Sequence, residues 1–156
     1  MREIRMVDLK GQYEKIKPEI NQAMNEVIES TAFINGPAVK TFAANLEGYL
    51  DVKHVIPCGN GTDALQAALM ALDLKPGDEV ITSTFTFIAT AEVIALLDLQ
   101  PVLVDVDPDT FNIDPEKIEE ALSERTKVII PVHLFGQCSD MDRIMNIARE
   151  HNLSVV

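Results

Sequence analysis

Apolar positions fall into two regimes along the chain. Up to about residue 50, Ile16, Ile20, Ala23, Met24 and Val27 recur at steps of three and four. That period predicts an amphipathic helix over roughly Gln12–Ser30. Phe33-Ile34-Asn35-Gly36-Pro37 interrupts the pattern with turn residues, and a second helix is predicted over Val39–Leu50. From His54 onward, short continuous apolar runs alternate with helical stretches. Strands are predicted at His54–Cys58, Glu79–Ser83, Pro101–Asp105, Val128–Val132 and Leu153–Val156. Helices are predicted at Thr62–Leu72 and Thr86–Leu97, from Asp114-Pro115-Glu116 onward, and from Ser139-Asp140-Met141-Asp142 to about Glu150. The third has an Asp cap with Pro in its first turn, and the fourth opens like a capping box. Strands that are apolar without alternation are buried on both faces. The pattern therefore describes an α/β unit, a mainly parallel sheet with helices on both faces and right-handed crossovers. Residues 1–53 read as an N-terminal helical segment and 54–156 as the α/β part.

The 156 residues carry a formal net charge of −12 and a pI near 4.5. This balance argues against a nucleic-acid or anionic-membrane surface, although a local basic site would survive it. The acidity lies mainly in the α/β part: 6 Lys/Arg and 7 Asp/Glu precede residue 51, against 7 and 18 after it. Cys58 and Cys138 make no metal pattern, and a reducing, cytoplasmic location follows from so few cysteines. No apolar stretch reaches the roughly 18 residues of a membrane span, and Met1-Arg2-Glu3 opens no signal peptide. The chain stops inside an apolar run, which reads as a fragment.

The segment Gly59-Asn60-Gly61-Thr62-Asp63-Ala64 stands where a predicted strand meets a helix. Two glycines let the backbone approach a ligand, and the unpaired N–H groups and dipole of the helix start favour an anion. Thr62 adds a hydroxyl that serves either as a phosphate donor or as a cap. The alternative is a tight turn with Thr62 or Asp63 as N-cap. The same residues match G-x-G-x-x-A, but the dinucleotide reading requires an acid at the end of the next strand. That end reads Thr82-Ser83-Thr84-Phe85, and Asp78 and Glu79 stand at the other end. Asp105 and Asp107 share a strand face, yet Pro108 and Asp109 follow and favour turn capping over a metal pair. Cys138 near His133 lacks an adjacent base, so a buried bystander is the reading preferred over a nucleophile. No metal site is assigned.

Several motifs together resemble the DegT/StrS family of sugar aminotransferases. They are Val7-Asp8-Leu9-Lys10-Gly11-Gln12, Asn35-Gly36-Pro37, Cys58-Gly59-Asn60-Gly61-Thr62-Asp63-Ala64-Leu65 and Pro76-Gly77-Asp78-Glu79-Val80-Ile81. Further along come Thr84-Phe85-Thr86-Phe87-Ile88-Ala89-Thr90, Val104-Asp105-Val106-Asp107-Pro108, Asn112-Ile113-Asp114 and Ile130-Pro131-Val132-His133-Leu134-Phe135-Gly136-Gln137. Singly each is weak; in this order they cover essentially the whole chain. The resemblance implies the large domain of the aspartate-aminotransferase fold, incomplete here, with pyridoxal 5'-phosphate (PLP) as cofactor. It implies a homodimer that moves an amino group, usually from glutamate, onto a nucleotide-linked keto sugar. Surface-polysaccharide or amino-sugar biosynthesis would be the setting. By motif, Gly61, Thr62 and Asp63 hold the cofactor phosphate and Phe87 stacks on the pyridine ring. His133 and Gln137 stand on the same rim, either in the substrate pocket or, for His133, as a structural histidine.

Such an enzyme also needs a Schiff-base lysine and an acid that keeps the pyridine nitrogen protonated. None of Lys10, Lys15, Lys17, Lys40, Lys53, Lys75, Lys117 and Lys127 stands in a family catalytic motif. The resemblance places both groups beyond Val156, so no catalytic residue is assigned and the fragment alone is expected to be inactive. Two alternatives remain: a PLP-dependent nucleotide-sugar dehydratase of the same fold, and a non-enzymatic flavodoxin-like phosphate-binding module.

Overall fold

The computed structural model describes residues 7–156 and divides into two compact units, separated between Pro57 and Cys58. The first contains two helices, α1 (Leu9–Ser30) and α2 (Pro37–Leu50). Asp8 caps α1 by accepting a hydrogen bond from the Gly11 amide at 2.9 Å. The helix ends on left-handed Thr31 (φ 54°). Pro37 opens α2 at a position whose N–H would have no helical partner, and Asp51 ends it with φ 53°. Neither helix buries a residue fully among the described residues. Their apolar positions, Leu9, Met24, Ile28, Phe42 and Leu50 among them, remain exposed.

The second unit is the α/β part. In chain order it contains α3 (Gly61–Met70), β1 (Glu79–Ser83), α4 (Ala89–Leu96), β2 (Gln100–Val104), α5 (Pro115–Ala121) and β3 (Thr126–Ile130). A short 3-10 turn (Leu134–Gly136), α6 (Met141–Glu150) and β4 (Ser154–Val155) complete it. The four strands form one parallel sheet in the order β2-β1-β3-β4. Both faces are covered over β1 and most of β3, as the continuous apolar runs require, whereas on the edge strand β2 Leu103 remains 53% exposed. Ile81, Ile129 and Val104 pack with Ile118 of α5 and Ile144 and Ile147 of α6 on one side. Val80, Val128 and Ile130 pack with Leu69 of α3 and Val93 and Ile94 of α4 on the other. Each such side chain contributes about 1.5–3 kcal/mol by leaving water.

Two expectations are corrected here. His54–Cys58 is not a strand: a strand requires a neighbour in a ladder, and the sheet runs from β2 to β4 without this segment. The helix after β3 is capped by Asp140, not by Ser139: Asp140 Oδ1 accepts from the Arg143 amide at 3.1 Å. Ser139 is instead buried, with its hydroxyl donating to the Val132 carbonyl. The Asp114 cap with Pro115 following it is as predicted, and its side chain accepts from the Glu116 amide.

The strand order has a functional consequence. From β1 the chain moves outward to β2, then returns across β1 to β3 and continues in the opposite direction to β4. The direction of winding reverses between β1 and β3, so α4 lies on one face and α5 and α6 on the other. Loops leaving the carboxyl ends of β1 and β3 diverge there and open a crevice, the usual ligand position of open α/β sheets. Thr82 ties the two strands at this point by donating from Oγ1 to the Ile130 carbonyl at 2.9 Å.

Candidate functional site

The start of α3 lies on the rim of this crevice. At the other end of the helix, Leu69, Met70, Asp73 and Leu74 line a cavity with Leu97 and Leu99, where α4 ends and β2 is about to begin. The carboxyl ends of α3 and α4 therefore sit together at the amino ends of the strands. Their amino ends point to the opposite rim. Asn60 caps α3: its Oδ1 accepts from the Asp63 amide at 2.9 Å and its Nδ2 donates to Asp63 Oδ2 at 3.1 Å. The cap is thus neither Thr62 nor Asp63, the two candidates weighed from sequence, and Asn60 is a residue that reading overlooked. The Asp63 amide is held within this cap. The amides of Gly61 and Thr62 have no acceptor among the described residues. Two unpaired helix-start N–H groups beside the Thr62 hydroxyl are a donor set for a phosphate. A Cβ at Gly61 would meet nothing within 4 Å, so the approach to these amides is open.

Phe87 stands on the β1–α4 loop, 75% exposed, and its carbonyl accepts from the Thr90 amide as α4 begins. Phe85 of the same loop meets Phe111 of the β2–α5 loop at 5.8 Å between ring centroids, tilted by 49°. Gly61, Thr62, Asp63 and Phe87 therefore share the sheet face that carries α3 and α4. His133 and Gln137 belong to the β3–α6 loop, which leads to the other face. Both are exposed. His133 Nδ1 accepts from the Ser139 amide at 3.1 Å, so the neutral ring carries its proton on Nε2.

Asn112 organises this second loop. It is 4% exposed. Its Oδ1 accepts from the Leu134 amide at 3.0 Å, and its Nδ2 donates to the carbonyls of Gln137 and Cys138, both at 3.2 Å. The motif Asn112-Ile113-Asp114 contains it, but nothing local shows what it holds, because its partners lie 22 to 26 residues away. Nearby, Asp107 Oδ1 accepts from the amides of Asp109 and Thr110 and from the Thr110 hydroxyl. These bonds, the Thr110 amide first, hold its carboxyl below the ordinary aspartate value. Asp105 Oδ1 accepts from the Val106 amide, so both aspartates cap a turn. Cys138 is exposed, not buried as expected, because the loop turns its side chain outward while its carbonyl binds Asn112. Among the described residues no His, Cys, Asp or Glu group is arranged to hold a metal, and no helix is long and apolar enough to cross a membrane.

A parallel sheet with a switch point, a helix start with unpaired amides and an exposed aromatic on the adjoining loop define an α/β protein with an anion-donor set on the rim where open α/β sheets take their ligands. The chain belongs to the DegT/DnrJ/EryC1/StrS aminotransferase family, whose model matches residues 14–156. A relative from Geobacillus stearothermophilus described as a pleiotropic regulatory protein is 53% identical over 97% of this chain and 41% of its own. UDP-2-acetamido-2-deoxy-3-oxo-D-glucuronate aminotransferase of Pseudomonas aeruginosa is 47% identical over 98% of this chain and 43% of its own. A Bacillus subtilis crystal structure, described as ntda with bound cofactor PMP, superposes with a TM-score of 0.88 at 39% identity, covering 99% of this chain and 36% of that one. The chain thus spans about two-fifths of the length of these relatives. The fold is that of the PLP-dependent aminotransferases, and the flavodoxin-like alternative is set aside by the family match.

Proposed function

We propose that the protein carrying these residues is a PLP-dependent aminotransferase that transfers an amino group, from glutamate, to a nucleotide-linked keto sugar for polysaccharide or amino-sugar biosynthesis. In this reading it works in the cytoplasm as a homodimer, and residues 54–156 form the first part of its cofactor-binding large domain. The observation that carries the proposal is the pair of unpaired amides at Gly61 and Thr62, at the start of α3 on the switch-point rim. PLP, when bound, supplies an electron sink that stabilises negative charge at the substrate carbon.

The chain's own residues bind and orient. The Gly61 and Thr62 amides and the Thr62 hydroxyl hold the phosphate, assisted by the dipole of α3. Asp63 acts through the cap it shares with Asn60, which fixes the first turn. Phe87 covers one face of the ring. His133 and Gln137 line the acceptor side, His133 offering its Nε2 proton to a sugar or phosphate oxygen.

The lysine that binds the cofactor and the acid on its ring nitrogen lie beyond Val156 in this proposal. The lysines of the α/β unit support it. Lys75 precedes β1 and Lys127 is the second residue of β3, both at the amino edge of the sheet, and Lys117 is held by Glu120 at 2.8 Å. That pair raises the Lys117 pKa, the opposite of what a nucleophilic amine requires.

PLP titration of the full-length protein and of its Thr62→Ala variant tests the reading. The variant loses one phosphate hydrogen bond, so its affinity falls about 10- to 100-fold, from roughly 1.5–3 kcal/mol. Unchanged affinity would refute the phosphate assignment. Transamination by residues 1–156 alone would refute the division of the chemistry.

A further inference from the structure

Asn112 makes a set of contacts that the proposed chemistry does not by itself require. The loop it holds contains two successive left-handed residues, Phe135 (φ 54°, ψ 23°) and Gly136 (φ 84°). Left-handed geometry is natural for Gly136 but strained for a bulky side chain, so the surroundings must impose it on Phe135. The turn's own backbone bonds, from the Gly136 amide to the His133 carbonyl and from the Gln137 amide to the Leu134 carbonyl, hold part of it, and across it lies the Asn112 carboxamide. It binds the Leu134 amide just before the left-handed pair and the Gln137 and Cys138 carbonyls just after it. Both ends of the turn are clamped by one side chain. The backbone that carries this side chain is itself held, because the Asn112 main-chain carbonyl accepts from the Asp107 amide and its main-chain N–H donates to the Thr110 hydroxyl.

The clamped turn lies between His133 and Ser139, whose amide orients the His133 ring. Releasing it frees His133 and Gln137 together. These residues lead to the sheet face opposite α3, whereas the phosphate donors lie on the α3 side. A ligand seated on α3 meets His133 and Gln137 only if it extends across the carboxyl ends of β1 and β3. Of the two proposed substrates the nucleotide-linked sugar is much the larger, and we take it to be the one that spans both faces.

We propose that Asn112 is a positioning residue: by clamping the Leu134–Cys138 turn from a neighbouring loop, it sets the presentation of His133 and Gln137 to the large acceptor substrate, and not to the amino donor. This rests on the aminotransferase reading above.

The test uses the full-length protein with Asn112→Ala and Asn112→Asp. The Asp variant keeps an acceptor for the Leu134 amide but directs an oxygen at the Gln137 and Cys138 carbonyls, so both variants release the turn. Glutamate and UDP-2-acetamido-2-deoxy-3-oxo-D-glucuronate are the probes for the two half-reactions. We expect KM for the keto sugar to rise about 10- to 100-fold in both variants, with the glutamate half-reaction changed by about twofold or less. Equal losses in both half-reactions would make Asn112 merely structural and overturn the proposal. Equal retention in both would do the same. Hydrogen exchange supplies a readout independent of activity: the Leu134 amide, shared between Asn112 Oδ1 and the Val132 carbonyl, should exchange faster in Asn112→Ala, and unchanged protection overturns the clamp. If protection is lost but the unaltered protein transaminates neither probe, the aminotransferase reading fails while the clamp stands.

Discussion

The amino edge of the sheet, opposite the site, holds a buried charge whose removal has a calculable effect. Glu79 begins β1 and is 5% exposed. Its Oε2 accepts from the hydroxyls of Ser123 and Thr126, and its Oε1 from Nε of Arg125 at 3.0 Å and from Nη2. The Ser123 bond is the largest influence holding its carboxyl below the ordinary glutamate value of 4.5; burial opposes it, and Arg125 adds to the lowering. Replacing Glu79 by Gln keeps the shape and removes the charge. A hydrogen bond to a buried charge contributes about 1.5–3 kcal/mol. The Arg125 side chain is 71% exposed, so its ionic share is near the 0–1 kcal/mol of a surface pair. Glu79→Gln should therefore cost about 1–3 kcal/mol at pH 7.

The pH dependence has a definite sign. A folded-state pKa below the unfolded one means that the unfolded chain takes up the proton first as pH falls. The stabilisation is complete above about pH 5 and disappears as pH falls through the lowered folded value. Urea unfolding of the full-length protein and the variant, followed by circular dichroism at pH 7 and at stepwise lower pH, measures this. The two midpoints should differ at pH 7 and converge in acid. Equal midpoints at pH 7, or a gap that widens in acid, would refute the reasoning.

Other substitutions separate capping from backbone effects. Asn60→Ala removes the α3 cap and should cost about 1 kcal/mol, read as a lower urea midpoint, with faster hydrogen exchange at the Asp63 amide. Gly136→Ala places a Cβ in open space but at φ 84°, so its cost of about 1–2 kcal/mol is purely conformational. Gly48→Ala, inside α2 and equally open, should instead stabilise by about 0.5–1 kcal/mol, measured by the same midpoints.

Much of the candidate site was legible before the fold. Gly61 and Thr62 mark a helix start, because two glycines and a threonine before an apolar period suit either an anion site or a capped tight turn. His133 and Gln137 were placed on the rim by their positions just past a predicted strand, and Phe87 by the family resemblance. Asn60, Glu79 and Asn112 stand in the quoted motifs but received no role of their own, since a polar residue in a loop or at a strand start reads the same whether buried or solvated. Cys138 was misjudged for the same reason: exposure depends on which way a loop turns.

The apolar runs determined most of the element types, residues 54–58 excepted, and the covering of both faces at the central strands, because burial on one or two sides imposes its own period on a local stretch of chain. Only the tertiary structure decided the strand order, and with it the reversal between β1 and β3 that opens the crevice. It also decided that residues 54–58 form no strand among the described residues, that Glu79 finds Arg125 across 46 residues, and that Asn112 reaches Leu134 across 22. Local sequence sets periodicity and caps over a few residues. Pairing across dozens of residues is set by which surfaces can be buried together, and that competition is resolved only when the chain is folded.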